Sequence, residues 1–227
     1  IGCYKALAKI GLDETKQDDI DNPPNPMKRA LAFSQTINLS KMLADEFNNV
    51  VNEYETSEDI DFKNKAHLEV EVAHVDGTFN AEQRNEKLNW LKDDIDDNQC
   101  RVLTNVRCLS EGVDVPALDA IMFLHPRKSQ IDVVQAVGRV MRKAEGKDLG
   151  YVILPITVAP GVDPATALNN NEKYQVVWQI LNALRAHDER FDSTINRIGL
   201  GEDVSDRLEI VGVGAQEELE ATTAVVE

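Results

Sequence analysis

Arg29-Ala-Leu-Ala-Phe33 reads as a buried strand, and what surrounds it decides the fold. A short apolar run of this kind fits a strand covered on both faces. A helical pattern follows, with Ile37, Leu39, Met42, Leu43 and Phe47 on one side. Beyond a polar, acidic loop at 55–66, a strand is expected over Leu68–His74, a turn at Asp76-Gly77 and a helix over Ala81–Leu91. Strands at Arg101–Thr104, Ala120–Leu124 and Tyr151–Leu154 come next, with a helix over Ile131–Val140 before the last. Such alternation implies right-handed crossovers and an α/β sandwich: a mostly parallel sheet between two helical layers. Ligands of these sheets sit beyond the carboxyl ends of the strands.

Outward from this centre the pattern weakens. Residues 1–28 open with a short helical pattern (Tyr4, Leu7, Ala8) and reach Asn22-Pro-Pro-Asn-Pro26, which sustains neither helix nor strand. They are expected to be a helix and linker arriving from an upstream lobe, ahead of a central domain at 29–157. Residues 158–227 form an extension in which Glu172–His187 is amphipathic, with Val176, Val177, Ile180, Leu181 and Leu184 on its apolar side. An acidic tail follows Gly199. A chain that opens on Ile1 is expected to be one piece of a longer polypeptide.

At 227 residues, 42% hydrophobic and 28% charged, the chain has the composition of a soluble globular domain with extensions. No apolar run has the length of a membrane span, and no signal peptide opens it, so a cytoplasmic protein without a membrane partner is expected. Cys3, Cys100 and Cys108 match neither a disulfide framework nor a CxxC site, and His67, His74, His125 and His187 lack metal-ligand spacing. The net charge of −16 argues against binding nucleic acid by bulk attraction. Yet residues 101–147 carry eight Lys/Arg against five Asp/Glu, a basic island on an acidic body.

That island holds the chemistry. Gln135-Ala-Val-Gly-Arg139-Val-Met-Arg142 sets two arginines three positions apart on one helix face. A guanidinium presents a planar fork of donors that matches phosphate oxygens and neutralises charge as a γ-phosphate leaves. A bare RxxR more often marks a solvated basic helix end; the Gln and Gly-Arg at fixed spacing argue otherwise. Upstream, Glu111-Gly112-Val-Asp114-Val-Pro116 follows a strand, with a glycine that allows close backbone approach and a carboxylate able to accept from ribose or arginine. Thr104 and Asn105, at the end of that strand, carry donors suited to a nucleic-acid phosphate.

The two stretches resemble motifs V and VI of helicase superfamily two, in its C-terminal RecA-like lobe. Leu31-Ala-Phe-Ser34-Gln35-Thr36 resembles motif IV, and His74-Val-Asp-Gly77 with Arg84 resembles the HxxG…R segment that follows it. Thr104–Ala120 with Val137–Lys143 is similar to large bacterial predicted helicases and to the motors of single-chain restriction–modification enzymes. The resemblance spans residues 29–155 and implies a RecA-like fold in which Arg139 and Arg142 are arginine fingers on ATP and Mg²⁺ held mainly by an N-terminal RecA-like lobe. It places Gln135, Gly112 and Asp114 in the nucleotide cleft. Thr104, Asn105, Ser34, Gln35 and Thr36 would face the nucleic-acid backbone, with DNA favoured over RNA.

No GxxxxGK[ST] occurs, and Asp13-Glu14, Asp45-Glu46 and the EF-hand-like Asp94-x-Asp96-x-Asn98 are decoys lacking the required neighbours. The expected protein is therefore half of an ATP-dependent helicase or translocase, inactive without its partner lobe. A non-catalytic RecA-like interaction module is the alternative, and a stand-alone nucleotide-binding protein is a weaker third.

Overall fold

The computed structural model describes residues 1–10, 25–56, 68–106, 118–125, 135–137, 139–140 and 150–155. Along the chain these form α1 (Gly2–Leu7), β1 (Arg29–Phe33), α2 (Ile37–Thr56), β2 (Glu69–His74), α3 (Ala81–Lys92), β3 (Gln99–Asn105), β4 (Ala120–Phe123) and β5 (Tyr151–Ile153). The strands lie in the order β2-β3-β1-β4-β5 and every adjacent pair is parallel. Leu31 of the central strand is flanked by Leu103 and Ile121. The parallel α/β sheet expected from the alternation is present, with β3 starting two residues earlier than its sequence pattern indicates.

Side chains alternate across a strand, so each face has its own membership. One face carries Ala30, Ala32, Val70, Cys100, Val102, Ala120 and Met122. Its small residues are matched by large ones from the helical layer: Tyr4 and Leu7 of α1, and Leu43, Phe47 and Val51 of α2. The Tyr4 hydroxyl donates to Glu55 near the end of α2 and accepts from the backbone of Leu68 at 3.4 Å. Burial first, and the Glu55 bond second, push that phenol well above its ordinary range, so it stays a neutral donor. Tyr4 and Leu7, within the 1–28 stretch expected to be a helix and linker from an upstream lobe, are part of the core cluster of this sheet.

The other face carries Leu31, Phe33, Leu103, Ile121 and Phe123, with Phe33 stacked on Phe123 at 5.5 Å. Here α3 is held by its ends. Asn80 caps it in a reciprocal box with Gln83. At the far end, carbonyls that a helix leaves unpaired are met by two strand arginines. Arg29 donates to the carbonyls of Leu91, Lys92 and Asp93 at 3.0 to 3.2 Å, and Arg101 donates to that of Trp90. Asp119, just before β4, accepts from the backbones of Lys28 and Arg29 at 2.9 Å each and locks the start of β1.

One expectation about α2 needs correction. Ile37, Leu39, Met42, Leu43 and Phe47 are expected on one face of the helix, yet Ile37, Leu39 and Met42 are 37%, 43% and 55% exposed. Leu43, Phe47 and Val51 face inward with Ser40, which is wholly buried. The helix is turned because Ser40 has polar partners inside. Two compact units divide the chain, Ile1–Pro126 with Gly138–Pro155, and Arg127–Val137 with Ile156–Glu227. The expected 172–187 helix and the acidic tail lie outside the described residues.

Candidate nucleic-acid interface

The carboxyl ends of β1, β2 and β3 meet in a polar floor. Ser34 follows β1, Thr104 and Asn105 end β3, His74 ends β2, and Ser40 enters from the first turns of α2. The Thr104 hydroxyl lies 3.3 Å from that of Ser34 and 2.9 Å from that of Ser40. Ser40 Oγ is 2.7 Å from His74 Nδ1, and His74 Nε2 is 3.0 Å from Asp76 Oδ2. Asp76 is itself buried and accepts from the Thr78 hydroxyl and backbone N–H at 2.5 and 2.8 Å, while Lys41 stands 3.8 Å away. Backbone bonds from Ser34 to the Asn105 carbonyl and from Val75 to the Thr104 carbonyl tie the three strand ends together.

The Thr78 hydroxyl first, then the His74 ring and the Thr78 N–H, hold the Asp76 carboxyl well below its ordinary value of 3.8. A folded-state value below the unfolded one contributes stability at neutral pH and loses it as pH falls through the acidic range below about 4. Asp76→Asn is expected to lower stability at pH 7 by about 1–3 kcal/mol. Urea unfolding should show the gap between the two proteins narrowing as pH drops below about 4.

The residues expected at the nucleic acid separate into two groups. Gln35 and Thr36 are exposed, and Thr36 Oγ1 caps α2 by accepting from Leu39 N–H at 3.2 Å. Ser34, Thr104 and Asn105 are buried. The Thr104 hydroxyl is turned inward onto Ser34 and Ser40, and Asn105 donates to the Ala32 carbonyl at 3.3 Å, so neither offers a surface donor here. Asn105 Oδ1 is buried without a hydrogen-bond partner. His74, which opens the HxxG…R segment, joins Ser40 to Asp76 at the centre of the floor. Apolar periodicity carried no sign of Ser40, since its partner His74 is 34 residues away.

Residues 135–137 and 139–140 are helical, with Gln135 exposed and Arg139 half-buried. Gly112, Asp114 and Arg142 lie outside the described residues. A position that the motif reading missed lies against Val140, the residue after Arg139. A Cβ on Gly150 would come within 2.4 Å of the Val140 carbonyl oxygen, closer than any side chain tolerates. Gly150 therefore lets the entry to β5 close directly onto the backbone that follows Arg139. Gly150→Ala should displace that backbone and cost roughly 1–3 kcal/mol through overpacking, read as a lower unfolding midpoint. The clue in the sequence was a glycine directly before a strand.

The chain is similar to known helicases. The family model described as helicase conserved C-terminal domain matches residues 24–144. Putative helicase 22 of a Sulfolobus islandicus filamentous virus is 36% identical over 79 residues, covering 35% of this chain and 13% of its own length. A probable helicase, A859L, of African swine fever virus is 32% identical over 90 residues, 40% of this chain and 10% of the viral protein. Among solved structures, the ATP-dependent Type ISP restriction-modification enzyme LlaBIII bound to DNA superposes with a TM-score of 0.76 at 40% identity. That match covers 98% of this chain and 14% of the enzyme, so the chain spans a small part of each relative. With a family match over more than half of its length and a five-stranded parallel sheet of the expected kind, the chain belongs to the helicase conserved C-terminal domain family.

Proposed function

We propose that the chain is the second lobe of an ATP-dependent DNA translocase of restriction–modification type, supplying arginine fingers and a grip on the nucleic-acid backbone. The observation that carries this reading is the 40% identity, across 98% of the chain, to an ATP-dependent enzyme bound to DNA. The polar floor supports it, because it ends the strands where an α/β sheet collects ligands and keeps Gln35 and Thr36 exposed beside it.

ATP, with Mg²⁺, supplies the phosphoryl group whose transfer drives the cycle. The chain lacks the glycine-rich triphosphate loop of such motors, so its own residues fit the far side of the nucleotide. Arg139 and Arg142 would neutralise charge at the γ-phosphate, and Gln135, Gly112 and Asp114 would contact the nucleotide. Gln35 and Thr36 donate to phosphodiester oxygens, a contact that follows the backbone rather than the bases. The other RecA-like lobe is the partner that holds ATP, and the chain by itself is inactive. No helix among the described residues is long and apolar enough to cross a membrane.

The test is complementation. Joined to the ATP-binding lobe, on one polypeptide or in trans, the chain is expected to restore ATP hydrolysis stimulated by single- or double-stranded DNA. Hydrolysis by the chain alone, or none with both lobes present, rules the reading out. The second reading, a non-catalytic docking module, gains from the exposed Leu39, Met42 and Val50 on α2. It predicts partner capture with no ATPase under any pairing of lobes.

A further inference from the structure

Ser40, His74 and Asp76 are aligned in the order of a nucleophile, a base and an orienting carboxylate. Burial excludes that chemistry. Ser40 is 0% exposed and its oxygen is engaged by Thr104 at 2.9 Å, so no substrate carbonyl can reach it. What the contacts set instead is a direction. An ionised Asp76 only accepts, so His74 carries a proton on Nε2, and the ring's neutral form then leaves Nδ1 as an acceptor. Ser40 must then donate to Nδ1, which obliges Thr104 to donate to Ser40 and Ser34 to donate to Thr104. One carboxylate thereby orients three hydroxyls drawn from three separate segments.

The consequence falls on the turn between β1 and α2. Ser34 and Ser40 bracket Gln35 and Thr36, and both brackets are held through Thr104. With the Ser34 and Thr104 hydrogens turned inward, the Gln35 amide and the Thr36 hydroxyl are the outward donors of the turn. We propose that His74 and Ser40 are positioning residues, holding the Ser34–Thr36 turn in the shape that presents Gln35 and Thr36 to a nucleic-acid backbone. The proposal rests on the motor reading for its ligand, a phosphodiester strand, and on the hydrogen-bond chain for its geometry.

Binding of a fluorescent oligothymidylate to the full chain, followed by anisotropy, tests it without requiring ATPase. His74→Leu and Ser40→Ala should each weaken binding about tenfold, the effect of losing one or two internal hydrogen bonds. His74→Asn, which keeps an acceptor near the Nδ1 position, should recover most of that loss, a rescue that a packing role would not give. Nitrogen NMR of the wild-type ring should show the neutral form protonated at Nε2. Equal binding by folded His74→Leu and wild-type proteins, no recovery in His74→Asn, or a ring protonated at Nδ1 overturns the proposal. The motor reading fails on a different measurement, ATP hydrolysis with the partner lobe, in which Arg139→Ala is the critical variant and oligothymidylate affinity is expected unchanged.

Discussion

Arg139→Ala, in the chain paired with its ATP-binding lobe, is expected to cut ATP turnover by roughly 10³- to 10⁵-fold at saturating DNA. The size follows from what the side chain does. On the proposed reading its guanidinium would meet charge that develops only as the γ-phosphate departs, so its loss would fall on kcat rather than on nucleotide affinity. Arg139→Lys keeps the charge but loses the planar fork, and should remain close to the alanine variant. Steady-state hydrolysis, with ATP affinity measured separately, checks both expectations. A turnover within tenfold of wild type would remove Arg139 from the phosphate. The half-buried position of Arg139, braced by the Val140–Gly150 contact, suits a finger whose direction is fixed in advance.

The largest effect on folding is expected at the other end of the chain. Tyr4→Ala should destabilise the lobe by about 3–5 kcal/mol, because it removes a buried aromatic ring and leaves a cavity between α1, α2 and the sheet. Native domains retain only about 5–15 kcal/mol, so this one change takes a large share and lowers the thermal midpoint by roughly 10 °C. Tyr4→Phe separates ring from hydroxyl. It keeps the packing but deprives Glu55 of its donor, and should cost only about 1–2 kcal/mol. If thermal melts show Tyr4→Ala to be neutral, α1 does not belong to this core.

The strands were legible because their apolar runs are short, contiguous and separated by helical periods. Arg29-Ala-Leu-Ala-Phe33 is β1 residue for residue, and Ala120 to Phe123 is β4. The face of α2 was not legible. Apolar counting favours Ile37, Leu39 and Met42, whereas a serine turned inward towards a histidine sets the actual rotation. Polar pairing over such separations leaves no periodic trace in a sequence. Two arginines at the end of α3 were hidden for the same reason, since Arg29 and Arg101 read as strand residues until the carbonyls they meet are in view. In the site, motif spacing identified Ser34, Thr104 and Asn105 as a group but not the inward direction of their side chains.

The central place of β1 has a bearing on how the chain is made. The strand leaves the ribosome before its side-chain and backbone partners near β3 and β4, which follow 70 to 91 residues later. At usual rates of synthesis, that gap lasts roughly 4 to 18 s. For that time Leu31 and Phe33, almost wholly enclosed in the finished lobe, have no sheet to enter. Nascent β1 is therefore the segment that a trigger-type chaperone would shield, and the one through which stalled chains would aggregate.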